Sequence, residues 1–597
     1  MDRRLLLFVA LSLAVWLLWS YFFPPAVPPA VPPTPPDAAA PGAGSPAGAA
    51  RDAGPGVPEQ EAPAGGDPQA GAPAALPAAL GGQAAPALRP DLPQGQAVAA
   101  GFEEKVVIDT PLLTVRLDNR GARLESWKLK RYQDDEGAPL DLVSPAARKL
   151  NLLPLQILVE DAGASRRLSE ALYRVERSDG REEGRTVTRV TFAWSDGRGT
   201  AAVKTLRLPH DAYLAEFGFA VEVDGRPVTP TLVWGAGFGP HTGLEKGQNA
   251  DTTWALARQG GSIERRDRAS FKPEEPWRVA GPLRWAGLED KYFAALLVAG
   301  TPIDGEARYE AVRLVEDGRE RFHLSAAVRL PGASSVSVFA GPKDVELLKS
   351  AGHELDRLVD FGFFGVIALP LFYAMKFVEK YTGNYGWAIV ILTIVIRLLF
   401  FPFMHRGQLK MRKMQDKMKK LQPKIKSMRE RYRKLERKEV ERGRPEARME
   451  LRRKMNEEMM AIYKQEDINP FGSMSGCLPL VLQIPILYAF YQILSKAIEL
   501  RKAPFLLWIR DLSVKDPYYV TPIIMGATML IQQVMTSSSI PDPTQRRIMY
   551  IMPVMFTYLF VGFPSGLVLY WLVNNLLGIL QQHLVNKEAV AMTPKAA

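Results

Sequence analysis

The chain has 597 residues, more than one hydrophobic core can organise, so the sequence predicts at least two domains. Its single cysteine, Cys477, excludes an internal disulfide framework. The formal charge of +11 comes from the segment between Arg406 and Asp467, where 22 Lys and Arg residues accompany 11 Asp and Glu residues. Because this basic segment separates apolar stretches, the positive-inside rule places it in the cytoplasm.

The N-terminal region combines an apolar stretch with a proline-rich one. Leu5–Phe23 follows Arg3 and Arg4, and it is longer than the apolar part of a typical cleaved signal peptide. We therefore predict an uncleaved transmembrane anchor at residues 1–23 with its N-terminus in the cytoplasm, and a cleaved signal peptide is the alternative. Residues 24–100 are rich in Pro, Ala and Gly, which predicts a flexible linker.

Residues 101–345 have the pattern of an all-β domain, because short apolar runs recur between turn signals. The clearest runs are Leu112–Leu117, Thr186–Trp194 and Leu214–Val223, and the clearest turns are Asp118–Gly121 and Ser178–Gly180. This pattern predicts a large antiparallel β-sandwich. The preceding anchor places it outside the cytoplasm.

The remainder of the chain is helical and largely apolar. The pattern of residues 346–384 predicts a short connecting segment followed by an amphipathic helix. This helix is expected to begin near Leu355 and to lie along the outer membrane surface. Five candidate spans follow, and with the anchor they make six, with both termini in the cytoplasm and a short tail at residues 588–597. The five are Tyr385–Met404, Gly476–Ser495, Pro517–Thr536, Ile548–Phe563 and Gly566–Val585, the last four within residues 469–587.

The basic segment at residues 405–468 has the pattern of a cytoplasmic helical hairpin. Apolar residues recur at alternating spacings of three and four, stop at Gly443–Pro445 and resume after it, which predicts two antiparallel helices. Pro423 is expected to kink the first arm. The methionines of the seam pack the hairpin, and a Met-rich, basic surface also suits apolar nascent chains and acidic RNA.

Arg397 is the one charged residue within the five predicted spans. It precedes Met404 by seven residues, which places it about 10 Å from the cytoplasmic end of its helix. A charge at such a depth costs at least ~2.5 kcal/mol on insertion scales. Snorkelling to the membrane surface is one interpretation, and a water-filled cavity open to the cytoplasm is the other. Since no span contains an acidic residue, a substrate carboxylate or a lipid phosphate would serve as the counterion.

Other polar side chains within the spans favour the cavity. Thr393 lies one turn from Arg397 on the same helix face. Hydrogen bonding between helices could explain any single one of the others, but their number favours a shared hydrophilic groove. These further candidates for its lining are Gln483, Gln532, Gln533, Asn574 and Asn575.

Several motifs between Leu355 and Gln582 occur in a characteristic order. They are Gly386-Trp387, Arg397 with Pro402, Leu421–Ile425, Asn469-Pro470, Gly476–Pro479, Pro504-Phe505, Trp508, Asp516–Tyr519 and Phe563–Tyr570. In this order they resemble the bacterial YidC insertase family. The resemblance is to its Gram-negative branch, which carries an N-terminal anchor and a large periplasmic domain.

The resemblance implies a membrane α-helical protein with a five-helix insertase core, plus a periplasmic β-sandwich domain. The core would surround a substrate groove open to cytoplasm and lipid, with Arg397 as its positive residue. Thr393, Gln533, Tyr570 and Trp571 would face the groove. The family's function would make this chain a non-enzymatic membrane-protein insertase and chaperone of the inner membrane. It would act alone or with the Sec translocon, on nascent membrane proteins, in contact with the ribosome and membrane lipids.

The chain contains no G-x-x-x-x-G-K-[ST] phosphate-binding loop, and we expect no cofactor and no metal. It departs from the family pattern at two places. The segment Asn469–Cys477 is longer than the usual spacing, and the hairpin is extended around Glu436–Arg448. Both departures could alter how the hairpin docks.

The sequence leaves three alternatives to the insertase. A transporter of small solutes would need inverted repeats, which the sequence does not show. An enzyme acting on sugars would need a positioned acid–base pair in the β domain, where His210, His241 and His323 stand without a recognisable motif. A structural assembly scaffold for the translocon is the third, and it would tolerate the loss of Arg397.

Overall fold

The computed structural model describes residues 90–93, 95–240, 253–316, 318–442, 447–465, 478–537 and 543–591. These belong to one compact unit, Gly82–Ala597. The predicted anchor at residues 1–23, most of the predicted linker and the long Asn469–Cys477 segment lie outside the described residues.

The N-terminal half of this unit is a β-sandwich, as the sequence predicted. Two antiparallel sheets, of fourteen and four strands, share one apolar core. The small sheet has the order β2-β3-β4-β5, and the main path of the large sheet is β1-β8-β9-β10-β18-β16-β15-β13-β14. The strands are β1 Ala97–Val98, β2 Lys105–Asp109, β3 Leu113–Asp118, β4 Arg123–Gln133, β5 Pro139–Asp141, β6 Gln156–Leu158, β7 Arg174–Glu182, β8 Arg185–Asp196, β9 Ala201–Pro209, β10 Leu214–Val223, β11 Arg226–Pro227, β12 Thr231–Trp234, β13 Trp254–Gln259, β14 Ser262–Asp267, β15 Trp277–Glu289, β16 Phe293–Glu316, β17 Arg319–Arg329 and β18 Ser335–Pro342.

Side chains that are buried at every second strand position, together with buried aromatic rings, form the core between the two sheets. β2 alternates exposed and buried residues along its five positions, as expected for a strand with one face on the core. Trp127 of β4 is fully buried, and its indole nitrogen donates to the Ala340 carbonyl of β18 at 2.8 Å. This bond joins the small sheet to the large one through the core. Two short helices, α1 Pro145–Lys149 and α2 Ala162–Glu170, lie between strands of this domain.

One predicted turn in the β domain was wrong. Ser178–Gly180 lies inside β7 and pairs with β8, where Gly180 faces Val187. The hairpin reverses instead at Glu183 and Gly184, whose φ angles are 51° and 80°. Two-residue hairpin turns that match the strand twist need such positive φ angles. The predicted turn at Asp118–Gly121 does join β3 to β4.

The C-terminal half is helical. A 3-10 turn at Leu355–Leu358 follows the first of its helices. The helices are α3 Val345–Ala351, α4 Gly365–Thr382, α5 Tyr385–Glu441, α6 Ala447–Gln465, α7 Leu478–Lys496, α8 Val520–Ser537, α9 Pro543–Phe560 and α10 Ser565–Ala591. Among the described residues, α5 is long and apolar enough to cross a membrane, and Val520–Met535 and Met549–Phe560 are shorter apolar stretches.

The amphipathic helix begins later than Leu355, so that part of the prediction was wrong. Gly362 has a φ angle of 71°, a left-handed conformation that interrupts a right-handed helix, and α4 starts only at Gly365. α4 does have two faces. Ala368, Phe372 and Met375 are buried, whereas Val366 and Phe377 are largely exposed.

α5 is a single helix of 57 residues that contains both Pro402 and Pro423. The predicted span and the first arm of the hairpin are therefore continuous. The second arm, α6, runs antiparallel to it: Arg431 pairs with Glu458 at 2.5 Å and Glu436 with Arg452 at 2.8 Å.

Close approaches fix how the helices cross. Gly526 of α8 lies against α9, where an added Cβ would come within 2.0 Å of the Thr557 hydroxyl. Gly386 at the start of α5 likewise faces Phe505, whose ring would lie 2.0 Å from a Cβ. Small residues let helix backbones approach closely, so Gly526 permits the close crossing of α8 and α9.

Candidate functional site

The site is built where α5 meets α10. Asn384 caps the N-terminus of α5, since its side-chain oxygen accepts from the backbone N–H of Gly386 and Trp387. Three turns further along, Arg397 extends from α5 towards α10. Its position therefore follows from the register in which the two helices pack.

The Arg397 guanidinium is bound by neutral groups. Nε donates to the side-chain oxygen of Asn574 at 2.6 Å, and Nη2 donates to the Asn574 backbone carbonyl at 2.9 Å. Nη1 lies 3.4 Å from the Gln581 side-chain oxygen and 3.7 Å from the Met404 sulfur. No acidic residue forms an ion pair with Arg397 within the described part of the chain. Dipoles, not a counter-charge, hold this half-buried cation.

A cavity lies beside the guanidinium. Its lining mixes polar and apolar side chains from three helices, α5, α7 and α10, which gives one charged end and a largely hydrophobic wall. The lining residues are Thr393, Ile396, Arg397, Phe400, Met404, Gln483, Ile486, Tyr570 and Asn574.

Four of the predicted groove residues meet at this cavity together with Arg397. Gln483 and Asn574 contribute amides to its lining. Thr393 is buried, and its hydroxyl donates to the Ile389 carbonyl at 2.6 Å. Tyr570 is also buried, with its ring stacked on Phe490 at a centroid distance of 4.5 Å. A fifth predicted residue, Gln532, lies next to Gly578, which is also near the guanidinium. Its amide nitrogen would be 2.6 Å from a Cβ at Gly578, and Arg397 Nη2 would be 3.3 Å from that Cβ.

The other three predicted residues lie away from the cavity lining. Trp571 packs on α9, with its ring 5.2 Å from that of Phe560. Asn575 donates to the Met525 carbonyl and to the Thr528 hydroxyl on α8. Gln533 has a buried amide nitrogen with no hydrogen-bond acceptor among the described residues. Asn575 thus forms hydrogen bonds between helices, which is the alternative explanation for each polar residue within a span.

Sequence reasoning missed Gln581 and Gly578. Both lie on the α10 face that contains Asn574, at seven and four residues beyond it. That spacing repeats the helical period, so an extension of the Asn574 face would have identified them.

The β domain offers no comparable arrangement of catalytic side chains in its described portion. His210 interacts with the Thr188 hydroxyl at 2.9 Å, His323 is buried, and His241 lies outside the described residues. Over the described ranges, no group of three or more His, Cys, Asp or Glu side chains could hold a metal ion.

Comparisons with known proteins cover both halves of the chain. Residues 105–374 match the family model of the YidC periplasmic domain, and residues 377–592 match that of the 60Kd inner membrane protein. The membrane protein insertase YidC of Geobacter sulfurreducens is 34% identical over 487 residues, which cover 80% of this chain and 85% of that protein. The YidC of Geotalea daltonii is 33% identical over 604 residues, which cover 99% of this chain and 100% of that protein.

A solved structure is similar at a lower level. A crystal structure of an active YidC insertase, with its first transmembrane domain resolved, matches 81% of this chain and 93% of its own. The sequence identity is 18% and the TM-score is 0.32.

Proposed function

The chain belongs to the YidC family of inner-membrane proteins, and from this premise we propose that it is a membrane-protein insertase. Its substrates would be nascent membrane proteins, whose apolar segments it transfers from the cytoplasm into the bilayer. The proposal is supported by the names of relatives that align with nearly the whole chain.

The proposed topology has six spans: the anchor at residues 1–23 and the helices α5, α7, α8, α9 and α10, which would form the five-helix core. Both termini would be cytoplasmic and the β domain periplasmic. Large exposed apolar side chains on the core helices support contact with lipid. They include Val395, Leu398, Leu399, Ile523, Ile551, Val554, Tyr558 and Leu580.

The observation that carries the mechanism is the Arg397 cation, bound only by neutral groups at a cavity edge. Nε, Nη1 and Nη2 of the guanidinium all donate to neutral groups, and the second N–H of Nη2 has no acceptor among the described residues. An acidic group on a substrate tail can therefore still be bound there. We infer that a short polar tail enters the groove, where Arg397 attracts its carboxylates. The adjoining apolar segment then partitions into lipid beside Tyr570.

The cytoplasmic hairpin suggests which partners the protein binds. Its basic, Met-rich surface supports contact with the ribosome and with emerging apolar segments. We propose that the protein also acts as a chaperone and beside the Sec translocon, as the family resemblance implies. No reaction chemistry is assigned to it.

The test is insertion into liposomes that contain the purified full-length protein. The substrate is a small single-span protein with an acidic N-terminal tail, and insertion is scored by protease protection. We expect insertion well above that of empty vesicles, and we expect Arg397→Glu to abolish it. Arg433→Glu is the matched control, because it makes the same charge change at an exposed position on α5.

Each outcome distinguishes a function. Insertion unaffected by Arg397→Glu would keep the insertase but remove attraction by Arg397 from its mechanism. No insertion above empty vesicles, with folded and correctly oriented protein, would favour the assembly scaffold for the translocon.

A further inference from the structure

Gly578 occupies an unusual position for a glycine. It lies in the interior of α10, a helix of 27 residues. A glycine inside a helix destabilises the helix relative to alanine. The atoms around Gly578 explain why a glycine lies at this position next to Arg397.

The first part of the reason is the Asn574 carbonyl. In an α-helix, the carbonyl of one residue accepts from the N–H four residues later, so Gly578 is the helical partner of Asn574. A carbonyl oxygen has a second lone pair, and Arg397 Nη2 takes it at 2.9 Å. Helical side chains lean back over the preceding turn, so a side chain at position 578 would cover this oxygen.

The second part is the space around the glycine. An added Cβ would lie 3.3 Å from Arg397 Nη2 and 2.6 Å from the amide nitrogen of Gln532. The nearer of these two atoms is the end of the Gln532 side chain, so a Cβ would displace that amide as well as crowd the guanidinium. Arg397 is held by Asn574 and Gln581 and has little freedom to give way.

We propose that Gly578 is a positioning residue for Arg397: the missing side chain opens the Asn574 carbonyl so that the guanidinium docks on α10. This inference rests on the proposed insertase function and deepens it. Docking fixes Nε and one N–H of Nη2 and leaves the second N–H of Nη2 for a substrate carboxylate. A side chain at 578 would tilt the guanidinium off α10 and weaken its bond to acidic tails.

The test compares Gly578→Ala and Gly578→Leu with the unsubstituted protein in full-length form. Each is reconstituted in vesicles of phosphatidylethanolamine and phosphatidylglycerol. Two substrates are used, identical except that one tail carries two Asp residues and the other two Asn residues. Gly407→Ala and Gly407→Leu are the matched controls, because Gly407 is helical and a Cβ there meets no atom within 4 Å.

We expect the preference for the acidic over the neutral tail to fall modestly in Gly578→Ala and about tenfold in Gly578→Leu, the worth of one charge-assisted hydrogen bond. The melting temperature of Gly578→Ala should stay close to that of the unsubstituted protein, since alanine is the better helix former, whereas Gly578→Leu should lower it by overpacking. The Gly407 variants should keep the full preference. Loss of charge preference while the neutral tail is still inserted is a result that general misfolding would not produce.

Three results would overturn the inference. The preference in Gly578→Leu could equal that of the unsubstituted protein, or insertion of both tails could fall equally. Alternatively, Gln532→Ala could restore the preference in Gly578→Leu, which would assign the effect to Gln532. Failure of the unsubstituted protein to insert either substrate would instead refute the proposed function.

Discussion

Two cations, the buried Lys204 in the β domain and the half-buried Arg397 in the helical half, are held without a counter-charge from the described residues. Lys204 of β9 is fully buried, and its ammonium donates to the carbonyls of Gly121, Ala122 and Leu155 at 2.7, 3.1 and 3.2 Å. Arg397 is likewise bound by oxygens of neutral groups. In both places, oriented dipoles replace the water that burial removes.

The two sites differ in the number of hydrogen-bond donors that remain unused. An ammonium has three donors, and the three carbonyls around Lys204 use all of them. These carbonyls belong to turns and strand ends of the sandwich, so the lysine ties loops together in a closed site. Arg397 keeps one N–H of Nη2 without an acceptor among the described residues, at the edge of a cavity. The comparison teaches that an unused donor is what would let a buried cation bind a ligand, as we propose for Arg397.

The largest effect that sharpens this comparison is expected from Lys204→Met. The change leaves three buried carbonyls without a donor, and each such group costs about 1–3 kcal/mol. Relief of lysine burial offsets part of this, so we expect the β domain to lose about 3 kcal/mol of stability. The measurement is the urea-unfolding midpoint of the full-length protein in detergent.

Lys349→Met is the control for that measurement, since Lys349 is exposed on α3. It should leave the midpoint unchanged. A Lys204→Met protein as stable as the original would contradict the structural role, and the comparison with Arg397 would then lose its basis.

A second effect concerns pH. Burial, with a smaller contribution from the charge of Arg123, lowers the pKa of Lys204 from 10.5 to about 7. Between these values the unfolded chain holds a proton that the folded domain releases, so unfolding free energy rises with pH. The slope is at most about 1.4 kcal/mol per pH unit.

Unfolding midpoints at pH 7, 8 and 9 check this expectation in the original protein and in Lys204→Met. Subtracting the two removes the titration of all other groups. Parallel curves would show that the three carbonyls keep the ammonium charged after folding, and would contradict the lowered pKa of Lys204.

A third and smaller effect separates two neighbouring asparagines. Asn574→Ala removes one of the bonds to Arg397, and we expect insertion of an acidic-tailed substrate to fall about fivefold, or roughly 1 kcal/mol. Asn575→Ala breaks bonds to α8 and should lower the melting temperature while the preference for acidic tails persists. Equal effects of the two substitutions on tail preference would argue against a special role for Asn574.

The smallest effect is expected at an exposed cation. Arg431→Gln removes the ion pair with Glu458 on the hairpin surface, where water screens the charges. We expect no measurable change in melting temperature or in insertion into ribosome-free liposomes. A clear loss in either would show that exposed pairing in this protein matters as much as burial.

Much of the fold could be predicted because its patterns are local. Alternating apolar residues predicted the β-sandwich, and apolar length predicted where the helices after Tyr385 would lie. The wrong turn at Ser178–Gly180 has a different cause. A glycine next to Asp favours a turn, but pairing with β8 carried the strand four residues further.

The candidate site was predictable only in part. Arg397 stood out because a charge within an apolar helix is rare. Gln581 and Gly578 did not, since a glutamine or a glycine has many roles in a helix, and only the packing of α5 on α10 distinguishes them. The same packing decides that Asn574 rather than Asn575 meets Arg397.

The unbroken length of α5 sets a distance that the chemistry of the site does not reveal. From Arg397 to the last helical residue, Glu441, the axis rises about 66 Å. An extended polypeptide needs about 20 residues to cover that distance. If a nascent chain emerges at the far end of the hairpin, as the proposed ribosome contact implies, it must grow by about 20 residues before its tip can touch Arg397. Under the proposed function, the length of α5 would therefore set the length of nascent chain at which its tip first reaches Arg397.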